Sequence, residues 1–353
     1  MKIIVACGGT GGHAFPGLAV AEELRRRNHD VTVWDSGRDI ESSVMKRWTG
    51  PKFSTGAKTL RPQNLWSIFR SVLRCRKEIK RVRPDAMLAM GSYSSLPPVL
   101  AAHFAGVKVY LHEANTVPGK AVAFLSRFAD KVAISFGVTS RYLPETNTVV
   151  TGLPVRTEIA GGKRFDFIPH DAFVIFITGG SQGAHAVNEL ACEAIALLKK
   201  DLEARGGRKL YVIHQTGMAD EGRVMAAYAA IGLPSRVHAF ENEMANAFAS
   251  ADLVIARAGA STCFELAACG KPALLIPLPT AMRNHQHFNA DTFAASGAAD
   301  EGIQTKLSPR QLERYLLGRI ESPEKLRSMS EKIRALASPD AAAKVADMVE
   351  GRL

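Results

Sequence analysis

Cysteine is scarce in this 353-residue chain, with five residues (Cys7, Cys75, Cys192, Cys263 and Cys269), an odd number without CxxC spacing. That argues against a disulfide framework or a zinc cluster and fits a reducing compartment. No apolar run approaches the roughly eighteen residues of a membrane span. The first apolar segment is only as long as a strand, so no signal peptide is expected. Metal-binding patterns are missing too. There is no Asp-x-Asp pair, His112-Glu113 lacks a second histidine at metalloprotease spacing, and His285 and His287, two apart on a helix, would face different ways. Aromatic residues make up only 7% and are not interleaved with basic ones, so nucleic acid is not an expected partner.

What is present is a 46% apolar composition in a chain long enough for two domains of ordinary size. The formal charge of +11 is unevenly placed, because nine basic residues against two acidic ones lie between Lys58 and Asp85. Within that stretch Leu65, Ile68, Phe69, Val72, Ile79 and Val82 recur at helical spacing with Trp66 beside them. Arg70, Arg74, Lys77 and Arg81 follow another face. Two readings fit this basic amphipathic helix. One is a surface helix with its apolar stripe on the core; the other is attachment of Leu65, Trp66, Phe69, Arg70, Arg74 and Lys77 to an anionic membrane surface.

The chain opens with a short apolar strand, Ile3 to Ala6, a turn containing Gly8, Gly9, Gly11 and Gly12, and a helix opening near Pro16. Glycines let the backbone approach a ligand closely, and the N–H groups of a helix N-terminus favour an anionic oxygen. His13, at the end of the turn, is either a satisfied structural residue or a catalytic one. Further on, 85–90 reads as a strand followed by the loop GSYSSLPP, and 107–111 as a strand ending in His112, Glu113, Ala114 and Asn115. Helices are expected over 96–105 and 121–128, and strands over 132–134 and 148–150. Polar residues at the C-terminal edge of a strand are where open α/β sheets bind ligands.

At Phe173 the opening pattern repeats as strand (173–178), glycine turn (Gly179–Ala184) and helix (187–199). Two such copies, followed by strands at 210–214, 236–239, 253–256 and 274–277 alternating with helices, predict an α/β chain of two Rossmann-like domains with parallel sheets facing across a cleft. The boundaries are expected at 1–157 and 171–339, with 158–170 as linker. After Ala256, Ser261 or Thr262 is placed to cap a helix carrying Glu265. That carboxylate either complements the helix dipole or binds a ribose diol. Asn284, His285, Gln286 and Asn289 offer donors and acceptors suited to sugar hydroxyls.

GGTGGHAFPGLAVAEEL, HEANTVPG, TGLPVRTEI, GGSQGAHAVNE and RAGASTCFELAACGKPALLIPLPTAMRNHQHFNA, in this order along nearly the whole chain, resemble the peptidoglycan glycosyltransferases of family 28. The resemblance implies a GT-B fold, with the acceptor on the N-terminal domain, the nucleotide sugar on the C-terminal domain, and a last helix at about 340–353 crossing back to the first. It implies an inverting transfer of N-acetylglucosamine from UDP-N-acetylglucosamine to the muramyl 4-hydroxyl of undecaprenyl-pyrophosphoryl-muramyl-pentapeptide (lipid I). The product is lipid II, for peptidoglycan synthesis and thereby cell shape and division. No cofactor or metal is required. The partners are these two substrates and the anionic membrane, which places the protein peripherally on the cytoplasmic face of the bacterial inner membrane.

Carried onto this sequence, the resemblance puts Thr10, Gly11 and Gly12 by the acceptor diphosphate and donor sugar, with His13 as the base. Asn115 faces the donor sugar, Arg156 and Ser181 the UDP diphosphate, Glu265 the ribose, and Gln286 with Asn289 the N-acetylglucosamine hydroxyls. Ala260, Ser261, Thr262, Cys263 and Phe264 lie along the nucleotide, and backbone near Glu241 touches the uracil. The acceptor loop is Gly91, Ser92, Tyr93 and Ser94. Here the chain departs from the family's usual G-G-Y-x-S-G-P, with Ser92 and Leu96 replacing glycines; Ala114, Leu153, Thr280 and Arg283 also depart. These changes touch acceptor or sugar selectivity. Three other functions share parts of the pattern. A GT-B transferase with another acceptor should lack the basic lipid-facing helix, a UDP-N-acetylglucosamine 2-epimerase would turn over the donor alone, and a non-catalytic nucleotide binder would leave Glu265, Gln286 and Asn289 unexplained.

Overall fold

The computed structural model describes residues 1–9, 11–37, 45–58 and 62–353. They form two compact units, Met1–Arg156 with Ser338–Leu353, and Thr157–Ala337. In the first unit the chain runs β1 (Lys2–Ala6), α1 (Gly11–Arg26), β2 (Asp30–Asp35), β3 (Lys52–Ser54), α2 (Leu65–Val82), β4 (Ala86–Ala89) and α3 (Leu96–His103). It continues with β5 (Lys108–Glu113), α4 (Lys120–Leu125), β6 (Lys131–Ile134) and β7 (Thr148–Val150). The strands pair in the order β3-β2-β1-β4-β5-β6-β7, and every pairing is parallel. Strands such as KIIVA and AMLA are covered on both faces, so they are continuously apolar rather than alternating.

The order reverses between β1 and β4, so the loops leaving their C-terminal ends part to opposite faces and open a crevice there. This brings residues 7–9 and 11–13 beside residues 90–95, although they lie far apart in sequence. The helix after β1 starts at Gly11, earlier than the expected opening near Pro16. Proline favours a first turn, but the buried stripe Ala14, Leu18, Ala21 and Leu24 carries this helix back past it. Gly11, Gly12 and His13 therefore belong to the helix's first turn.

The second unit repeats the plan: β8 (Phe173–Thr178), α5 (His185–Ala204), β9 (Leu210–Gln215), α6 (Glu221–Ala230), β10 (Ser235–His238), α7 (Met244–Ser250) and β11 (Leu253–Ala256). Then come α8 (Ala260–Cys269), β12 (Ala273–Leu275), α9 (His285–Ala295), β13 (Asp300–Glu301), α10 (Pro309–Ile320) and α11 (Pro323–Ala335). Its parallel sheet has the order β10-β9-β8-β11-β12-β13, with the reversal between β8 and β11. Residues 158–170, expected as a linker, are packed into this unit. Ile159, Phe165 and Ile168 are buried, and a β-carbon on Gly162 would lie 2.0 Å from the Ala245 carbonyl oxygen. Burial of three apolar side chains outweighs the polar composition that made the segment look open.

The chain ends with α12 (Ala341–Val349), which packs on α1 in the first unit. Val345, Ala346, Met348 and Val349 enter the core beside Leu18 and Leu24. Arg27 reaches Asp347 at 2.6 Å and Glu350 at 2.5 Å, and His29 Nε2 lies 2.6 Å from Glu350.

Candidate functional site

In the first unit, the turn between β1 and α1 is pressed against the loop after β4. A β-carbon on Gly8 would come within 2.8 Å of the Ser36 nitrogen, so no larger residue fits there without a shift. Ser94 Oγ donates to the Gly8 carbonyl at 2.7 Å and ties the two loops together. His13 lies half-buried across the same seam, with Nδ1 2.8 Å from the Met90 carbonyl oxygen. A carbonyl only accepts, so Nδ1 carries the proton and the neutral ring has its lone pair on Nε2. The sequence predicted His13; its orienting partner, a backbone atom 77 residues away, has no side-chain signature.

At the end of β5, His112 is buried with Nε2 3.2 Å from the Gly152 carbonyl. Burial lowers it to about 4, with the nearby His13 acting in the same direction, so it is neutral at physiological pH. Glu113 is buried too, and burial raises its carboxyl above the usual range against the hydrogen bonds that lower it. It accepts from Asn115 N (2.8 Å), Asn115 Nδ2 (3.1 Å) and Gly119 N (2.9 Å), shaping the 114–119 turn. Asn115 is thus held by Glu113, which the sequence marks only as one of the polar residues at the end of the strand. Arg156 lies with its guanidinium 4.7 Å from the Phe15 ring centre, on the helix that carries His13. Thr10 lies outside the described residues.

In the second unit, the turn after β8 is closed by hydrogen bonds between its backbone and two side chains. Gly180 N reaches Thr178 Oγ1 at 3.1 Å, and Gln215 Nε2 donates to the Gly180 carbonyl at 2.8 Å. Ser181 is exposed on the turn. Asn188 Nδ2 donates to Thr216 O and to Asp220, each at 2.8 Å, and His185 lies 2.9 Å from Asp220, so the start of α5 is braced against the loop after β9. Burial pushes the Asp220 carboxyl up, but the hydrogen bonds from Asn188, His185 and Arg223 outweigh it and bring it to about 2. Gly183 has φ +71°, and a β-carbon there would lie 2.0 Å from the Thr216 carbonyl oxygen. Gly183→Ala is therefore expected to cost about 3 kcal/mol in urea unfolding and to displace the turn. Unfolding midpoints equal to wild type would show the loop free to move aside.

Residues 3–134 match the glycosyltransferase family 28 N-terminal domain, and residues 174–345 match the family's C-terminal domain. A Geobacter sulfurreducens protein is 37% identical over 98% of this chain and 97% of its own length. The chain belongs to glycosyltransferase family 28. That relative, and a Syntrophus aciditrophicus protein 36% identical over 98% of this chain and 97% of its own, bear one name: UDP-N-acetylglucosamine--N-acetylmuramyl-(pentapeptide) pyrophosphoryl-undecaprenol N-acetylglucosamine transferase. Among solved structures, MurG of Acinetobacter baumannii is similar at a TM-score of 0.80 and 31% identity, covering 99% of this chain and 100% of that one. A Neisseria meningitidis UDP-GlcNAc 2-epimerase reaches 0.74 at only 16% identity, over 99% and 100% of the chains, and shares the fold alone. The protein is a glycosyltransferase with the GT-B fold.

Within this family 28 chain, the residues expected at the nucleotide divide into two sets. Ser261, Thr262 and Glu265 are half-exposed on the first turns of α8; neither Ser261 nor Thr262 is the cap that was expected, because the helix starts at Ala260 and its N-cap is Gly259, which brings no capping side chain. Ala260, Cys263 and Phe264 are buried, and Phe264 stacks edge-on against Phe293 at 6.1 Å. These three have only backbone to offer a nucleotide, because helical periodicity turns their side chains inward. Asn289 is a correction. It is fully buried and donates from Nδ2 to the Ala258 carbonyl at 3.1 Å, so it holds the loop before α8 instead of facing a sugar. Arg257, also buried, fastens the same loop through Ile276 O and Pro277 O, both at 3.1 Å. Gln286 is half-buried and accepts from Leu278 N at 2.9 Å. Glu241 is buried against Arg236 at 2.8 Å.

The basic helix α2 turns out to have two apolar faces. Ile68, Cys75 and Ile79 are buried, whereas Leu65 and Trp66 are 65% exposed, Phe69 50% and Leu73 48%. Arg70 lies 5.7 Å from the Trp66 ring centre, and Trp66 stacks on Phe69 at 5.5 Å. The surface-helix reading had all of this stripe on the core; two of its six residues, Leu65 and Phe69, face solvent.

Proposed function

We propose that this protein transfers N-acetylglucosamine from UDP-N-acetylglucosamine to the muramyl 4-hydroxyl of lipid I, releasing UDP and forming lipid II. The observation that carries the reading is identity of 35–37% along nearly the whole chain to proteins bearing that one transferase name. The local chemistry agrees with it. The 4-hydroxyl oxygen attacks the anomeric carbon from the face opposite UDP, its proton passes to His13 Nε2, and the bond to the diphosphate oxygen breaks with inversion. The donor is held on the second unit by Ser181, the first turn of α8, Glu265 on the ribose diol and Gln286 on the sugar. Charge on the departing diphosphate is met by backbone N–H groups and Arg156. No metal enters this scheme, so transfer is expected to continue in chelator.

The acceptor's polyprenyl chain requires work at a lipid surface. The exposed Leu65, Trp66, Phe69 and Leu73, ringed by Arg70, Arg74 and Lys77, suit the anionic cytoplasmic face of the bacterial inner membrane. Among the described residues no helix is long and apolar enough to cross a membrane, so attachment is peripheral in this reading.

The test is transfer of labelled N-acetylglucosamine to a lipid I analogue, with and without chelator, beside the donor alone. Transfer in both conditions supports the reading. Donor turnover without acceptor would replace it with an epimerase, and transfer only to a different acceptor would keep the donor and discard lipid I. That last outcome would point to the altered loop at Ser92 and Leu96 as the cause.

A further inference from the structure

Arg257 carries a charge that the fold leaves unneutralised. Among the described residues it is the one arginine or lysine that is buried, at 7% exposure. Three other arginines that turn inward each meet a carboxylate, Arg27 that of Asp347, Arg236 that of Glu241 and Arg319 that of Asp300, and all three are raised above the ordinary arginine value. Arg257 forms no ion pair among the described residues. Burial lowers it and no neighbouring charge raises it, yet a guanidinium keeps its proton. Its Nη1 donates to the Ile276 and Pro277 carbonyls, whereas Nε and Nη2 donate to no described residue. A neutral amide could hold the same two carbonyls, and a buried cation without a partner costs stability. Anchoring the loop therefore does not explain the charge.

The position in the sheet does. Arg257 N donates to the Thr178 carbonyl at 3.3 Å, which puts the residue at the reversal between β8 and β11, where the C-terminal strand ends part. The carbonyls of Ile276 and Pro277 hold its guanidinium at that same edge, where β12 runs beside β11. Two residues on, Gly259 caps α8, so no capping side chain takes the first N–H groups of that helix. Open helix N–H groups and an unneutralised cation both complement an anion.

We propose that Arg257 supplies, through its fixed charge, the positive potential that binds the diphosphate of a nucleotide at the first turn of α8, and takes no part in holding the nucleoside. The inference rests on the transferase reading for its ligand, the donor held on the second unit. The experiment titrates UDP and, separately, uridine into wild type, Arg257→Gln and Arg257→Lys, and records Tm for each without ligand. Glutamine keeps a donor for the Ile276 and Pro277 carbonyls and removes the charge; lysine keeps the charge. Arg257→Gln is expected to bind UDP at least about tenfold more weakly than wild type, the scale of one charge-assisted interaction, and to bind uridine as wild type does. Its Tm is expected to equal or exceed that of wild type, because an uncompensated buried charge is gone. Arg257→Lys is expected to keep the ratio of UDP to uridine affinity within about threefold of wild type, and this arm decides alone if the glutamine variant does not fold. Equal loss of UDP and uridine affinity with a lower Tm would assign Arg257 to loop anchoring and overturn the proposal. Unchanged UDP affinity in Arg257→Gln, a tenfold lower ratio in Arg257→Lys, or a wild type that does not bind UDP would overturn it as well. A wild type that binds UDP without glycosylating lipid I would sink the transferase reading and leave these titrations to decide Arg257.

Discussion

His13→Ala is expected to lower kcat for transfer by about two to four orders of magnitude, the range that a positioned general base contributes. The reason is geometric. With Nδ1–H held by the Met90 carbonyl at 2.8 Å, the ring cannot turn freely, and Nε2 is the nitrogen that would take the proton. The KM for UDP-N-acetylglucosamine should change little, because His13 is not among the groups that hold the donor in this reading. Losing one half-buried hydrogen bond costs about 1 kcal/mol, so the variant remains folded and the comparison is of chemistry. Steady-state kinetics with a soluble acceptor analogue measures the split. A kcat within a few-fold of wild type would remove His13 from the reaction.

The second large effect is expected at the membrane. Trp66→Glu together with Phe69→Glu should reduce partitioning to phosphatidylglycerol-rich vesicles by more than about a hundredfold, each lost aromatic withdrawing about 1.5–3 kcal/mol of apolar burial. Neither side chain sits in the core, at 65% and 50% exposure, so thermal stability should hold. Turnover of a soluble acceptor analogue should hold as well. Sedimentation with vesicles reads the partition directly. Unchanged binding would return α2 to an ordinary solvated helix and leave its basic face without a partner.

Much of this was readable before any coordinates. Continuous apolar strands, glycine turns and helix caps are local patterns, and they located most of the parallel strands and both turns. The strand DVTVWD at Asp30–Asp35 was passed over, because its polar Asp30, Thr32 and Asp35 dilute the apolar run; pairing with β1 makes it a strand. Segment 158–170 looked open for a similar reason. Its composition is polar, and only packing revealed that Ile159, Phe165 and Ile168 are covered.

By itself the sequence determined which residue types are available and where the backbone has to bend, since propensity and periodicity act over a few neighbours. That was enough to select His13, Glu265 and the glycines. Whether a selected side chain faces a ligand or the core is decided by contacts between distant segments. Asn289 is buried because Ala258 meets it across the α8–α9 packing, and His13 is oriented because β1 pairs with β4. Ser92 reads from the sequence as a substituted glycine. Only the tertiary structure, by pinning Ser94 to Gly8 and Ser95 to Gly91, forces that serine into a glycine conformation beside the candidate base.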